Sequence, residues 1–326
     1  MLEWKKLGKI FDPTEVKGKS WMKTHAQSPG TVVFDNFVRV YFSCRPDPVN
    51  GKYVSRTAFL DLDRNDLSKI VNIADDPVLE LGDSGSFDEF AIYPTSVIRN
   101  EEVDERRFPV RSLRLYYAGW TRMDSVPFTC AVGMATSYDD GIKFERYSNG
   151  PILGISPEDP YLLSGARIRK FNGRWYLFYL SGTKWIPDNG RMEAVYKIRM
   201  AVSNDGITSW KRLGNNIISD KIDNNECQAG ADVFYHQDKY HMYFAYRPAL
   251  DFRSKESGYR IGYAYSTDLF NWVRDDSQAG ITLSESGWDS EMQHYPHVFE
   301  LDGNHYMIYN GNEFGKYGFG LAELEK

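Results

Sequence analysis

Short aromatic and β-branched runs separated by polar turns fill this chain, and no segment of it carries helical spacing. The run Ala231-Asp232-Val233-Phe234-Tyr235, the turn His236-Gln237-Asp238-Lys239 and the run Tyr240-His241-Met242-Tyr243-Phe244 set the type. Counterparts occur at 31–34 with 38–42, 168–171 with 175–179 and 297–301 with 305–309. Such runs around Asn, Asp or Gly turns predict antiparallel hairpins. A third run leads into a Ser-x-Asp turn at Ser137-Tyr138-Asp139, Ser203-Asn204-Asp205 and Ser266-Thr267-Asp268, where the Asp can accept nearby backbone N–H groups. A fourth opens with an aromatic followed by a base: Phe144-Glu145-Arg146, Trp210-Lys211-Arg212 and Trp272-Val273-Arg274.

The hairpins recur at a fixed distance. Each unit is headed by a small or Tyr-Pro pair, Ser28-Pro29, Tyr93-Pro94, Gly165-Ala166, Gly230-Ala231 and Tyr295-Pro296, with second residues 65, 72, 65 and 65 positions apart. A long β-type period is the signature of a propeller whose repeats are blades. The predicted fold is all-β: a five-bladed propeller of four antiparallel strands per blade, with blades near 21–87, 88–160, 161–225, 226–290, and 291–326 joined by 1–12. The fifth unit lacks a fourth strand, and Trp4-Lys5-Lys6-Leu7-Gly8 matches Trp210-Lys211-Arg212-Leu213-Gly214. The N-terminal strand is therefore expected to complete the last blade, which removes the open edges of a linear array.

At 326 residues, 42% hydrophobic and 15% aromatic, the chain can fill one large β core, and no linker or low-complexity tract divides it. The start, Met1-Leu2-Glu3-Trp4-Lys5-Lys6, has no apolar signal region, and no run approaches a membrane span, so a cytoplasmic location and no membrane partner are expected. Cys44, Cys130 and Cys227 are odd in number and far apart, which fits reduced thiols, and no Cys-x-x-Cys suggests a structural zinc. A net charge of −6 argues against a nucleic-acid partner.

The starts of the innermost strands and the ends of the second strands meet at one end of such a ring, and the candidate chemistry lies there. Four residues before the heading pairs stand Glu89, Glu226 and Glu291, with Thr24 and Tyr161 in the other two units. Clustered carboxylates suit acid–base work, because repulsion raises one pKa while a neighbouring cation lowers another. The same repetition also fits a carboxylate kept in every blade as an acceptor of backbone hydrogen bonds. At the second-strand ends stand Arg45, Arg122, Lys184 and Arg247, a set suited to a carboxylate or phosphate on the ligand, or to neutralising the glutamates. Arg167 sits just inside the third heading pair, where the fourth unit has Asp232 and the fifth His297. Trp120 and Trp185 could stack on a sugar ring, and His25 and His294 could orient substrate or move a proton. No metal-ligand spacing accompanies them, so no metal or other cofactor is expected.

These motifs, with the Ser-x-Asp-Gly-x-x-x-Trp form of residues 203–210, resemble the five-bladed β-propeller glycoside hydrolase superfamily. That group includes the arabinanase/β-xylosidase, invertase/levansucrase and mannoside phosphorylase types, and the resemblance extends over the whole chain. It implies acidic residues from different blades around a funnel, an Asp base in the first blade and a Glu acid later. Here the first inner strand reads Thr24-His25-Ala26-Gln27-Ser28-Pro29, without that base. The later acid falls on Glu226 or Glu291, leaving Glu89 as base. The expected function is a glycoside hydrolase acting on a small carbohydrate that bears a carboxylate or phosphate. A glycoside phosphorylase and a non-catalytic sugar- or metabolite-binding propeller are the alternatives.

Overall fold

The computed structural model describes residues 2–100 and 112–325. The expected fold is observed: these residues form five four-stranded antiparallel sheets arranged as blades. The chain opens with β1 (Trp4–Phe11), which belongs to the last blade. Blade one is β2 (Thr24–Val33), β3 (Phe37–Arg45), β4 (Arg56–Asp63) and β5 (Asp66–Ile73), and blade two is β6 (Ala91–Arg99), β7 (Leu113–Arg122), β8 (Phe128–Ser137) and β9 (Glu145–Arg146). Blade three is β10 (Leu163–Phe171), β11 (Arg174–Asp188), β12 (Arg191–Ser203) and β13 (Lys211–Arg212). Blade four is β14 (Cys227–His236), β15 (Lys239–Arg247), β16 (Arg260–Ser266) and β17 (Val273–Arg274). Blade five is β18 (His294–Leu301), β19 (Asn304–Asn310) and β20 (Phe319–Leu324), completed by β1.

The core is a set of wedges between neighbouring blades. Tyr41 and Phe59 meet Ile92 and Leu115; Tyr116 and Met134 meet Ile168 and Leu177; Phe178 and Met200 meet Val233 and Phe244. Tyr243 and Ile261 meet Val298 and Met307, and Ile308 and Leu321 close the ring on Val40 and Phe42. Both faces of a middle strand are therefore covered, so these strands read as nearly continuous apolar runs. The closing strand pairs from Trp4↔Leu324 to Phe11↔Phe319. Trp4 is buried, and its indole N–H donates to the Tyr243 hydroxyl of blade four at 2.8 Å. Burying a side chain of this size contributes about 2–3 kcal/mol, which ties the chain ends together.

The Ser-x-Asp turns work as their chemistry predicts. Asp139 accepts from the N–H groups of Ile142 and Lys143, Asp205 from those of Ile207 and Thr208, and Asp268 from those of Phe270 and Asn271. The three cysteines are buried and free. No helix among the described residues is long and apolar enough to cross a membrane.

Candidate active site

The heading pairs are β-bulges. In β2, β10, β14 and β18 the register slips at Gln27/Gly30, Ser164/Arg167, Ala229/Asp232 and His294/His297, and the backbone turns left-handed at Ser28, Gly165, Gly230 and Tyr295 (φ 57°, 61°, 61° and 52°). Glycine takes this conformation freely, whereas an aromatic there costs on the order of 1 kcal/mol. Bulges re-aim side chains at barrel rims and sites. Here Ser28, Gly165, His294 and Tyr295 line an axial cavity of about 180 Å³.

The cavity walls are largely aromatic, with Tyr93, Trp120 and Phe128 on one side and Phe252, Tyr259 and Phe314 on another. His294 is buried, its ring stacked on Tyr259 at 3.8 Å between centroids, and neither ring nitrogen has a partner among the described residues. Burial, with Arg247 nearby, holds its pKa well below the ordinary imidazole value. Arg247 donates to the Tyr196 hydroxyl at 2.9 Å, and Tyr196 in turn hydrogen-bonds Tyr259. Burial pushes the Tyr196 hydroxyl pKa well up.

Among the described residues one carboxylate lines this cavity, and the sequence reasoning missed it. Glu193 lies 2.7 Å from Arg191 Nε and 2.9 Å from Arg253 Nη1, with only 9% of its side chain exposed. It is carried over the axis because β11 and β12, at 15 and 13 residues, run past the other blades' hairpins. The signal was the Asn189-Gly190 turn, whose residues both take positive φ (47° and 81°), as a two-residue hairpin loop requires.

A rim pocket adjoins the cavity through Arg253 and Phe314 and is lined by His25, Arg45, Glu291, Glu313 and Lys316. Arg45 donates to Gln27 Oε1 (3.0 Å) and to the Tyr93 hydroxyl (2.9 Å). Burial and the charges of Arg45 and Lys316 press the His25 pKa down to about 3. Glu291 is half-exposed, with Lys255 3.6 Å away.

The structure thus brings Trp120, Arg247 and His294 to the cavity and His25, Arg45 and Glu291 to the rim, and places the other candidates elsewhere. Glu89 accepts from the Gly85 N–H at 2.8 Å and from Thr121, outside both pockets. Arg122 covers Phe90 at 4.1 Å and donates to the Tyr53 carbonyl. Lys184 is exposed on the long hairpin, and Trp185 packs edge-on against Phe128 at 5.4 Å behind the cavity wall. Arg167 and Asp232 lie further along the inner strands, in a buried plug that seals the axis. There Arg167 donates to the Pro29 carbonyl (2.7 Å), and Asp232 holds Arg169 (2.6 Å) and His297 Nδ1 (2.7 Å). Because His297 Nε2 accepts from the Thr31 N–H at 3.0 Å, its proton sits on Nδ1 and the ring is neutral. Burial, reinforced by Arg167, lowers its pKa to about 4.

The plug has a pH consequence. His297, His25 and His294 all have folded-state pKa values below the unfolded 6.5, so between about pH 6.5 and pH 4 the unfolded chain binds more protons. Stability is expected to fall as pH drops through that window, by up to about 1.4 kcal/mol per pH unit for each histidine. Urea denaturation at pH 7, 6 and 5 reads this out, and a flat profile would contradict it.

Glu226 belongs to a different pattern, one repeated in four blades. Asp88, Asp159, Glu226 and Asp289 each precede an inner strand, are fully buried, and meet a base on the outermost strand of the same blade. The pairs are Arg146–Asp88 (2.8 Å), Arg212–Asp159 (2.6 Å), Arg274–Glu226 (2.6 Å) and Lys6–Asp289 (2.7 Å). Tyr117, Tyr179 and Tyr309 add a hydroxyl donor to the three aspartates, while in blade four, where the second strand carries Phe244, Gln228 donates to Glu226 at 2.9 Å. The base two residues after the fourth-strand aromatic is the other half of this latch.

No family model matches the chain. "Uncharacterized protein Rv1502" of Mycobacterium tuberculosis (strain ATCC 25618 / H37Rv) is 31% identical over 325 residues, covering 99% of this chain and 100% of the relative. The chain belongs to that protein's family. A "Beta-1,2-mannobiose phosphorylase" of Thermoanaerobacter sp. (strain X514) is 29% identical over 96 residues, 29% of this chain and 28% of the relative. Among solved structures, a "Glycoside hydrolase" superposes with TM-score 0.73 at 18% identity, covering 99% of this chain and 93% of the other. An exo-1,5-alpha-L-arabinanase from a bovine ruminal metagenomic library superposes with TM-score 0.62 at 11% identity, covering 93% and 97%. The fold of this family is therefore the five-bladed propeller found in glycoside hydrolases.

Proposed function

We propose that this protein is a carbohydrate-active enzyme that cleaves or transfers a glycosidic bond of a small sugar bearing an anionic group, in the axial funnel. The observation that carries the reading is the cavity's lining: aromatic faces suited to a pyranose, the buried Arg247 guanidinium with half-exposed Arg191 and Arg253, and, among the described residues, a single carboxylate, Glu193. Glycoside chemistry needs one group to protonate the leaving oxygen and another to activate water or attack the anomeric carbon. Glu193 in the cavity and Glu291 on the adjoining rim take these roles, Glu193 as base or nucleophile beside the ring and Glu291 as acid toward the solvent-side leaving group. Glu226 and Glu89 are left to structure. The rim cations Arg45, Arg253 and Lys316 favour a second reading, phosphorolysis, with inorganic phosphate as the attacking group.

The test is turnover. Aryl glycosides, oligosaccharides, nucleotide sugars and sugar phosphates are incubated with the protein, with and without phosphate, and released sugar is quantified. Release from at least one glycoside is expected, and a requirement for phosphate would select the second reading. A folded protein that turns over none of them is not such an enzyme.

A further inference from the structure

Two guanidinium groups at the funnel, buried Arg247 and half-buried Arg45, have no carboxylate partner among the described residues. Arg247, 3% exposed, donates from Nη1 to the carbonyls of Pro248 (2.8 Å) and Ala249 (3.1 Å) and from Nη2 to the Tyr196 hydroxyl, and its Nε–H has no partner among the described residues. Arg45 is held by Ser55, Gln27 and the Tyr93 hydroxyl. Both lie within electrostatic reach of Tyr295. By contrast, Arg39, Arg146, Arg212 and Arg274 each meet a carboxylate at 2.6–2.8 Å. A buried cation facing only neutral acceptors is costly, and an anion arriving with the ligand offsets that cost. The chain supplies carboxylates to buried bases in the four latches and, through Glu193, to Arg191 and Arg253 at this cavity, but none of the described residues gives one to Arg247 or Arg45.

Buried, unpartnered donors on residues that line the cavity narrow the anion. Arg247 Nε and Trp120 Nε1 are donors only, and neutral His294 adds one ring N–H. Two or three donors among aromatic walls match the two oxygens of a carboxylate. They fall short for a phosphate dianion, whose desolvation cost rises with the square of its charge. Resting on the reading of the funnel as a sugar site, we infer that the substrate is a carboxylated sugar of the uronic-acid type, its carboxylate docked on Arg247. The aromatic walls take the apolar face of the ring, and Glu193 is the one carboxylate on the lining among the described residues.

Titration calorimetry at pH 7 with D-glucuronate, D-galacturonate, D-glucose, D-galactose, glucose 1-phosphate and glucose 6-phosphate tests this. At least one uronate is expected to bind about tenfold or more tightly than its neutral parent and than either phosphate, with affinity falling as salt rises. Arg247→Met should erase the preference for the uronate over its parent. If that variant does not fold, Trp120→Phe, which keeps a ring and removes the free N–H, should weaken uronate binding several-fold. Equal binding of the neutral parents, tighter binding of a phosphate, no uronate binding up to about 10 mM, or an undiminished preference in folded Arg247→Met would each overturn the assignment. Uronate binding by a protein that turns over nothing would sink the enzyme reading and leave this one standing. Turnover confined to neutral glycosides would do the reverse.

Discussion

Glu226→Gln is expected to lower the stability of the protein by about 2–3 kcal/mol, the cost of leaving buried, charge-assisted hydrogen bonds unmade. The Glu226 side chain is fully buried and accepts from Arg274 (2.6 Å), Gln228 (2.9 Å) and the backbone N–H groups of Lys221 and Ile222 (3.0 Å each). An amide keeps the shape but turns one acceptor into a donor and leaves the Arg274 guanidinium, 5% exposed, with Asp276 at 3.0 Å as its remaining carboxylate partner. Glu291→Gln, at the matching sequence offset, removes only a half-exposed carboxylate 3.6 Å from an exposed lysine, and is expected to cost less than about 0.5 kcal/mol. Urea denaturation of the two variants side by side measures the difference. Similar stabilities would mean that Glu226 is no latch and would return it to the list of functional groups.

That contrast marks where sequence reasoning worked and where it slipped. The blade period and the closure by residues 4–11 were legible because each blade repeats the same hairpins and Ser-x-Asp caps, and local hydrogen bonding dictates those residue types. The heading pairs were legible as markers of the repeat, and the structure makes them bulges that turn side chains toward the axis. The placement of Glu226 slipped by register. Counting a fixed four residues back set Glu226 beside Glu89 and Glu291, but in space its carboxylate joins Asp88, Asp159 and Asp289, since the longer side chain reaches the latch from a position nearer the strand. Counting the outer-strand bases Arg146, Arg212, Arg274 and Lys6 would have revealed four partners waiting for four acids. Glu193 escaped because it lies in the part of blade three that does not repeat. An alignment of copies cannot assign a role to an insertion, and the long hairpin carries both the acid and its flanking Arg191.

Glu193→Gln is expected to lower kcat/KM on a turned-over glycoside by about 10²–10⁴-fold, the range for loss of a positioned proton-transfer group, equivalent to about 3–5 kcal/mol of transition-state stabilisation. Stability should change by less than about 1 kcal/mol, because the cations paired with Glu193 are themselves roughly half exposed: Arg191 at 52% and Arg253 at 46% of the side chain. A purely structural role for Glu193 would invert these two outcomes. The leaving-group dependence then separates the partners. If Glu193 activates water or attacks the anomeric carbon, its loss slows good and poor aryl leaving groups alike. If Glu291 donates the proton, Glu291→Gln is slow only on leaving groups that need protonation and recovers on activated ones. A Glu193→Gln enzyme within threefold of the wild type would remove the carboxylate from the chemistry and leave the funnel as a binding site for the sugar alone.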